Sequence, residues 1–479
     1  MENSGKGSGS GKGVLSVFTL AMMNLAVICS LRGLPMMAEE GFSLVFYYLL
    51  TVLVFLIPVS LVSAELATGW PPHGPGGVYI WVKEAFGERW AFLAIWLQWI
   101  QNVIWFPTVL AFIAGTIAYI FDPRLAESKL YMVIVILVAY WAGTFANFRG
   151  MKTSGSISSF CVIAGVFLPG ILIIALGIIW LVDGNVLQIT FSAQTLLPDM
   201  SNVNNIVFLA GAFLIFSGME VSAVHANSVR DQKRDFPRAI FLSAGIAVLI
   251  LIVGSLAIAI VIPQKQISLV AGIMEAFRLI LNRYHMGWMV PIIAFLVAFG
   301  SIGELTTWIV GPSKGLYTTA RDGNLPPFLQ HRNRYGVATH ILVIQGLVVT
   351  VLAFMFLFMP NVSSSYWILS ALCVTLYLTM YLILFASAIR LRYAQPEVHR
   401  AYRIPLGNFG MLVTGITGMV GALFAIAVSF LPPSQLNTGS TLFYELFLII
   451  GLLLMLSIPL LIYHFKKPSW KQKNTGKSN

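Results

Sequence analysis

Apolar runs of roughly 20 residues, long enough to cross a bilayer as helices, recur along the chain from Val14 to Phe465. Twelve spanning helices are predicted, near 14–37, 44–66, 90–121, 130–148, 157–182, 205–228, 239–262, 290–312, 339–359, 365–389, 410–431 and 441–465. The joints between them are too short for a separate soluble domain. The expected organisation is an all-α polytopic membrane domain over 14–465, with a flexible tail at 1–13 and a basic tail at 466–479.

Two of the runs carry interruptions. The first breaks at Cys29-Ser30-Leu31-Arg32-Gly33-Leu34-Pro35, where Gly33 weakens the helix and Pro35 removes a donor and disfavours α geometry at Leu34. The sixth has a comparable weak point at Phe216-Ser217-Gly218-Met219-Glu220. Breaks at the first and sixth positions are what a five-plus-five inverted repeat produces, with repeat one at about 14–182, repeat two at about 205–389 and helices 11 and 12 at about 410–465 outside both. The plainer reading is that each Gly or Pro only kinks a packed helix. Unwound backbone at membrane depth is tolerable where it lines a cavity. There, half-helix N-termini face an anionic group and freed carbonyls hold an ammonium, which suits a zwitterion. Ser30, Leu31, Arg32, Gly33, Ser217 and Gly218 are therefore candidate substrate-binding positions.

Two connecting segments have their own character. The Pro/Gly-rich stretch Ala67–Tyr79 predicts a loop entering a short helix at 78–86. Segment 264–284 is too polar to span and reads as amphipathic, either a lid over the outer vestibule or a passive interfacial helix.

Charge then fixes orientation rather than partner. The chain has 479 residues, 58% of them hydrophobic and 10% charged, with a net charge of +11. With a cytoplasmic N-terminus, the inside segments carry 23 of the 29 Lys and Arg and the outside loops 5, the asymmetry of the positive-inside rule. Both termini are expected to be cytoplasmic and the protein to lie in the cell (inner) membrane. The basic balance needs no nucleic acid partner. Cys29, Cys161 and Cys373 fall in apolar spans without metal-ligand spacing and read as small buried hydrophobes. The opening MENSGKGSGSGKG has neither phosphate-loop register nor a signal-peptide pattern.

Arg32 and two carboxylates, Glu220 and Glu304, sit deep in these runs. A charge there costs at least ~2.5 kcal/mol on insertion scales, so such residues face a bundle interior or a solute path, which points to a transporter. Arg32 either grips a substrate carboxylate bidentately or pairs with Glu220 or Glu304. Trp308, one turn from Glu304, is a wall or gate over substrate or an interfacial anchor. Tyr377 and Tyr381, at i and i+4, share a helical face as substrate donors or as packing. The seven His are scattered and no joint is long enough for a sensor output domain, so neither an enzyme nor a sensor is expected, and no cofactor or metal.

The runs Phe216-Ser217-Gly218-Met219-Glu220-Val221-Ser222-Ala223, Arg230–Ala239 and Trp308-Ile309-Val310-Gly311-Pro312-Ser313-Lys314-Gly315-Leu316-Tyr317 resemble the amino acid–polyamine–organocation superfamily. Together with Gly41–Leu44, Ala64–Thr68, Phe430–Pro433 and the Tyr377/Tyr381 pair, they are similar to its bacterial glutamate:γ-aminobutyrate antiporters, from about residue 14 to 465. The resemblance implies the five-plus-five fold, alternating access, and exchange of an amino acid for its decarboxylation product. It also implies that Glu220, Glu304, Trp308, Tyr377 and Tyr381 line the substrate path. Two departures stand out. Arg32 occupies a break that is often small and Gly-rich in relatives, and only Lys466–Asn479 follow the last helix, so no C-terminal plug and no confinement to acidic pH are expected. The expected partners are amino acid substrates, the lipid bilayer and, as a candidate, protons. The alternative to exchange is proton-coupled symport.

Overall fold

The computed structural model describes residues 16–28, 30–70, 77–149, 163–221, 231 and 234–471, with the backbone alone at 23, 26–28, 163, 304, 306, 307 and 310. The first apolar run forms α1 (Val17–Ile28), a single 3-10 turn at Leu31–Gly33 and the short α2 (Leu34–Ala38). There follow α3 (Gly41–Gly69), the short α4 (Gly77–Phe86), α5 (Glu88–Phe121), α6 (Lys129–Phe148), α7 (Ala164–Val182), α8 (Val203–Val221) and α9 (Asp235–Ala259). The remainder comprises the amphipathic α10 (Gly272–Arg283), α11 (Val290–Thr319), α12 (Thr339–Phe358), α13 (Val362–Ala394), α14 (Gly407–Ser429) and α15 (Thr441–His464). Among the described residues, ten helices are long and apolar enough to cross a membrane: all of these except α1, α2, α4, α10 and α11. The protein is a multi-pass, all-helical membrane protein.

Burial separates centre from rim. In the most apolar stretch of each helix, 83% of the residues of α5 and α13 and 72% of those of α8 are buried, against 11% in α15, which turns Leu, Ile and Phe side chains outward to lipid. Lipid tails are as apolar as these side chains, so close helix approach relies on small residues. A β-carbon at Gly418 of α14 would lie 2.3 Å from Phe385 of α13, and one at Gly165 of α7 would lie 2.3 Å from the Cα of Gly300 in α11.

Both predicted interruptions are present. Ser30 is extended (φ −114°, ψ 129°), and the chain re-enters a helix at Leu34 with Pro35 in its first turn, where a missing N–H costs nothing. Pro35 thus begins the second half-helix, and the break lies just ahead of Arg32. In α8 the regular helix Leu209–Ile215 ends in a turn at Phe216–Gly218, with Gly218 at φ +110° in the region that favours glycine.

The two ends of the bundle are tied differently. At the end bearing the Arg-rich joints, Glu65 of α3 accepts from Arg392 Nη1 of α13 (2.5 Å) and from the backbone N–H of Ile404 (2.8 Å). Arg400 Nε lies 3.4 Å from the same carboxylate, and its guanidinium covers the Trp70 ring at 4.8 Å. Nearby, Lys466 after α15 donates to Glu88 (3.1 Å) and Asn324 (2.8 Å), so the residues just past α15 dock onto the bundle. At the other end α10 buries Ile273, Met274, Phe277 and Ile280, with Gly272 against Pro35 of α2.

Candidate functional site

A cavity of about 60 Å³ opens where the two interrupted helices meet. Seven of the residues singled out in the sequence line it: Ser30, Arg32 and Gly33 from the first break, Ser217 and Gly218 from the second, Trp308 of α11 and Tyr377 of α13. Five further residues complete the wall, namely Gln101, Asn102 and Trp105 of α5 with Leu214 and Ile215 of α8. The breaks fit together closely, since a β-carbon at Gly33 would lie 2.7 Å from Ile215 Cδ1.

Arg32 supplies the charge. The side chain is 92% buried, being 8% exposed, and its Nη1 donates to Thr108 Oγ1 of α5 (3.2 Å) and Tyr366 Oη of α13 (3.1 Å). Its guanidinium carbon stands 5.1 Å from the centre of the Trp105 ring, a cation–π arrangement that also excludes water from one face. Nε is buried without a hydrogen-bond partner, and among the described residues no carboxylate pairs with Arg32. The alternative in which Arg32 pairs with Glu220 is not seen among the described residues. The alternative pair with Glu304 concerns a side chain outside the described residues; the Glu304 backbone lies in α11, one turn before Trp308.

Glu220 lies off the cavity lining, and both of its oxygens are engaged. Oε1 accepts from Tyr377 (2.6 Å) and from Gln98 Nε2 of α5 (3.0 Å), while Oε2 accepts from Tyr381. Tyr381 Oη in turn accepts the N–H of Gly218 at 2.7 Å, so this one hydroxyl joins the turn in α8 to the carboxylate two residues on. The two tyrosine rings are 5.0 Å apart, as their spacing on one helical face requires. Buried polar groups carry this cluster only when satisfied, and here three donors converge on one carboxylate. Tyr381 and Leu31 also lie off the lining; Leu31 is buried toward Gly170 of α7.

The α5 contribution was missed in the sequence, although a signal existed. Gln98, Gln101, Asn102 and Trp105 fall at i, i+3, i+4 and i+7 in an apolar helix, hence on one face. Asn102 is buried, lines the cavity and makes no hydrogen bond to a described residue. Trp105 and Trp308 meet edge to face at 5.7 Å and form an aromatic wall. The site thus offers one buried cation, an unengaged amide, backbone groups at two helix breaks and aromatic sides, a set suited to a small ligand bearing a carboxylate.

Comparison with known proteins shows the family. Residues 15–453 match the amino acid permease family, and the chain belongs to that family. It is a transporter rather than an enzyme. The chain is 44% identical to an uncharacterised transporter of Legionella pneumophila, over 94% of this chain and 96% of that protein. It is 32% identical to a glutamate/γ-aminobutyrate antiporter of Lactococcus lactis, over 94% of this chain and 90% of the relative. The fold is similar to that of MhsT in complex with L-phenylalanine, with a TM-score of 0.57 at 15% identity, covering 88% of this chain and all of that one.

Proposed function

We propose that this permease is an antiporter that exchanges an acidic amino acid such as glutamate for a related amine-bearing acid such as γ-aminobutyrate, by alternating access around the interrupted helices. One observation carries the reading. Arg32 is a buried cation on a cavity wall with no carboxylate partner among the described residues, and a ligand carboxylate is the chemistry that compensates it. The likeness to the Lactococcus antiporter supports the same pair of substrates. Backbone carbonyls around the two breaks, with the Asn102 side-chain carbonyl, receive the ammonium. Trp308 and Trp105 close the sides, and Tyr377 joins the cavity to the Glu220 cluster.

In this reading the fold has twelve spans, ten helices in two inverted five-helix repeats and two outside them, with both termini in the cytoplasm of a bacterial cell. The docked residues after α15 and the Arg-rich joints then share the cytoplasmic face. Proteoliposomes test the function directly. Labelled glutamate is expected to enter vesicles preloaded with γ-aminobutyrate and not empty ones. Uptake into empty vesicles driven by an imposed pH gradient would replace exchange with proton symport.

A further inference from the structure

The orientation of the two exchange partners in the cavity follows from how Arg32 is held. We propose that Arg32 grips the one carboxylate both partners share, the distal one, and that Thr108 and Tyr366 are positioning residues that aim it. The inference rests on the exchange reading above.

The geometry is one-sided. Two hydroxyls, Thr108 Oγ1 and Tyr366 Oη, both engage Nη1, so that corner of the guanidinium is spoken for. Trp105 covers a face at 5.1 Å. Among the described residues the Nε–Nη2 edge makes no hydrogen bond, Nε itself being buried, and a guanidinium edge with two parallel donors is the shape that takes a carboxylate bidentately. The cation lies between α5 and α13, the most buried helices of the bundle, where an uncompensated charge is costly.

That cost applies in every state in which the cavity closes. A load that leaves Arg32 unpaired makes closure unfavourable, so each exchange partner must bring a carboxylate to the same edge. Decarboxylation of an amino acid removes the carboxyl on the carbon bearing the amine. From glutamate it leaves only the distal carboxylate, and that group is all γ-aminobutyrate has to offer. Arg32 therefore holds the distal carboxylate of both, and the α-carboxylate of glutamate occupies space that γ-aminobutyrate leaves to solvent. Two consequences follow: diamines without a carboxylate are rejected, and the empty carrier, with Arg32 bare, is the slowest form to reorient. The second consequence is what makes exchange obligatory.

The test compares competitors of labelled glutamate in proteoliposomes of wild type, Arg32→Gln, Arg32→Lys, Thr108→Val and Tyr366→Phe. In wild type, γ-aminobutyrate is expected to compete strongly, and norvaline, which keeps the α-amino acid head without a distal carboxylate, to compete at least about tenfold more weakly. Putrescine is expected not to compete. Arg32→Gln is expected to weaken glutamate and γ-aminobutyrate together by about tenfold or more, with Arg32→Lys between. Thr108→Val and Tyr366→Phe are expected to raise KM for both partners by the same factor, about threefold to tenfold, while norvaline competition stays unchanged. A purely structural role for these hydroxyls would lower kcat for every load alike and would overturn their assignment. Wild type that exchanges both partners but loses only glutamate on Arg32→Gln would overturn the orientation and leave the antiporter reading standing. So would norvaline competing as well as γ-aminobutyrate. Wild type that exchanges neither would end the functional reading, and the orientation with it.

Discussion

Gly33 and Ile215 bring the two helix breaks into contact, with room at position 33 for hydrogen alone. A β-carbon there would sit 2.7 Å from Ile215 Cδ1 and 2.8 Å from Cγ1. Gly33→Ala therefore forces Ile215 aside at the cavity wall, an overpacking cost of about 1–3 kcal/mol. Exchange is expected to fall sharply while membrane insertion is retained. Ile215→Ala should restore part of the rate in the double variant, and a double-mutant cycle on exchange rates measures that coupling. Equal rates in Gly33→Ala and wild type would show that the contact does not limit turnover.

The Glu220 cluster makes a graded prediction. Tyr377→Phe removes one donor from a buried carboxylate that keeps Gln98 on the same oxygen. Tyr381→Phe removes the donor to Oε2 and also leaves the Gly218 N–H without its acceptor. A buried polar group left unsatisfied costs about 1–3 kcal/mol, so Tyr381→Phe should destabilise more than Tyr377→Phe. Thermal unfolding in detergent checks the order. Tyr377 lines the cavity, so its variant should also raise KM, whereas Tyr381→Phe should act mainly on stability.

What the sequence revealed, and what it hid, divides along physical lines. Gly33, Pro35 and Gly218 announced the interruptions because such residues contradict a regular helix locally, and the all-helical membrane fold followed from apolar run length. Arg32 and Glu220 were visible because charge is rare at that depth. Their partners were not: Thr108 and Tyr366 lie 76 and 334 residues from Arg32, and a hydroxyl in an apolar helix ordinarily bonds its own backbone. Nothing local to Glu220 says that Gln98, 122 residues away, and Tyr377 and Tyr381 take its oxygens. Gln101 and Asn102 had the right helical spacing, but periodicity alone does not say whether a polar face meets a cavity or a neighbouring helix.

At the Arg-rich end, Glu65 is the hinge of a buried ion network. It is 1% exposed and holds Arg392 at 2.5 Å and the Ile404 N–H at 2.8 Å, with Arg400 at 3.4 Å. Glu65→Gln leaves two buried guanidinium groups without their counter-charge, and breaking a buried pair from one side costs about 3–5 kcal/mol. The expected result is loss of folded protein on extraction. Replacing Glu65 and Arg392 together by Gln and Met should recover part of it, because the double change removes a charge of each sign. Folded yield by size-exclusion chromatography distinguishes the two.

Glu39 and Glu40 give the protein a pH-dependent stability of definite sign. They follow α2 at the opposite end, outside the spans, where Glu39 is buried with Oε2 unpartnered and Glu40 accepts from Gln435 Nε2 at 2.8 Å. Burial, and then the neighbouring Glu40 charge, lift the Glu39 carboxyl above neutrality. Burial lifts Glu40 above neutrality as well, opposed by the Tyr47 hydroxyl. Between the ordinary carboxylate range and these raised values the folded state holds protons that the unfolded chain has released. Stability therefore falls as pH rises through that window. The thermal midpoint is expected to decline from about pH 5 to about pH 9, and Glu39→Gln, which mimics the protonated form, should flatten the slope and stabilise the alkaline end. A Glu39→Gln protein whose midpoint follows the wild-type curve across that range would remove Glu39 as the titrating group.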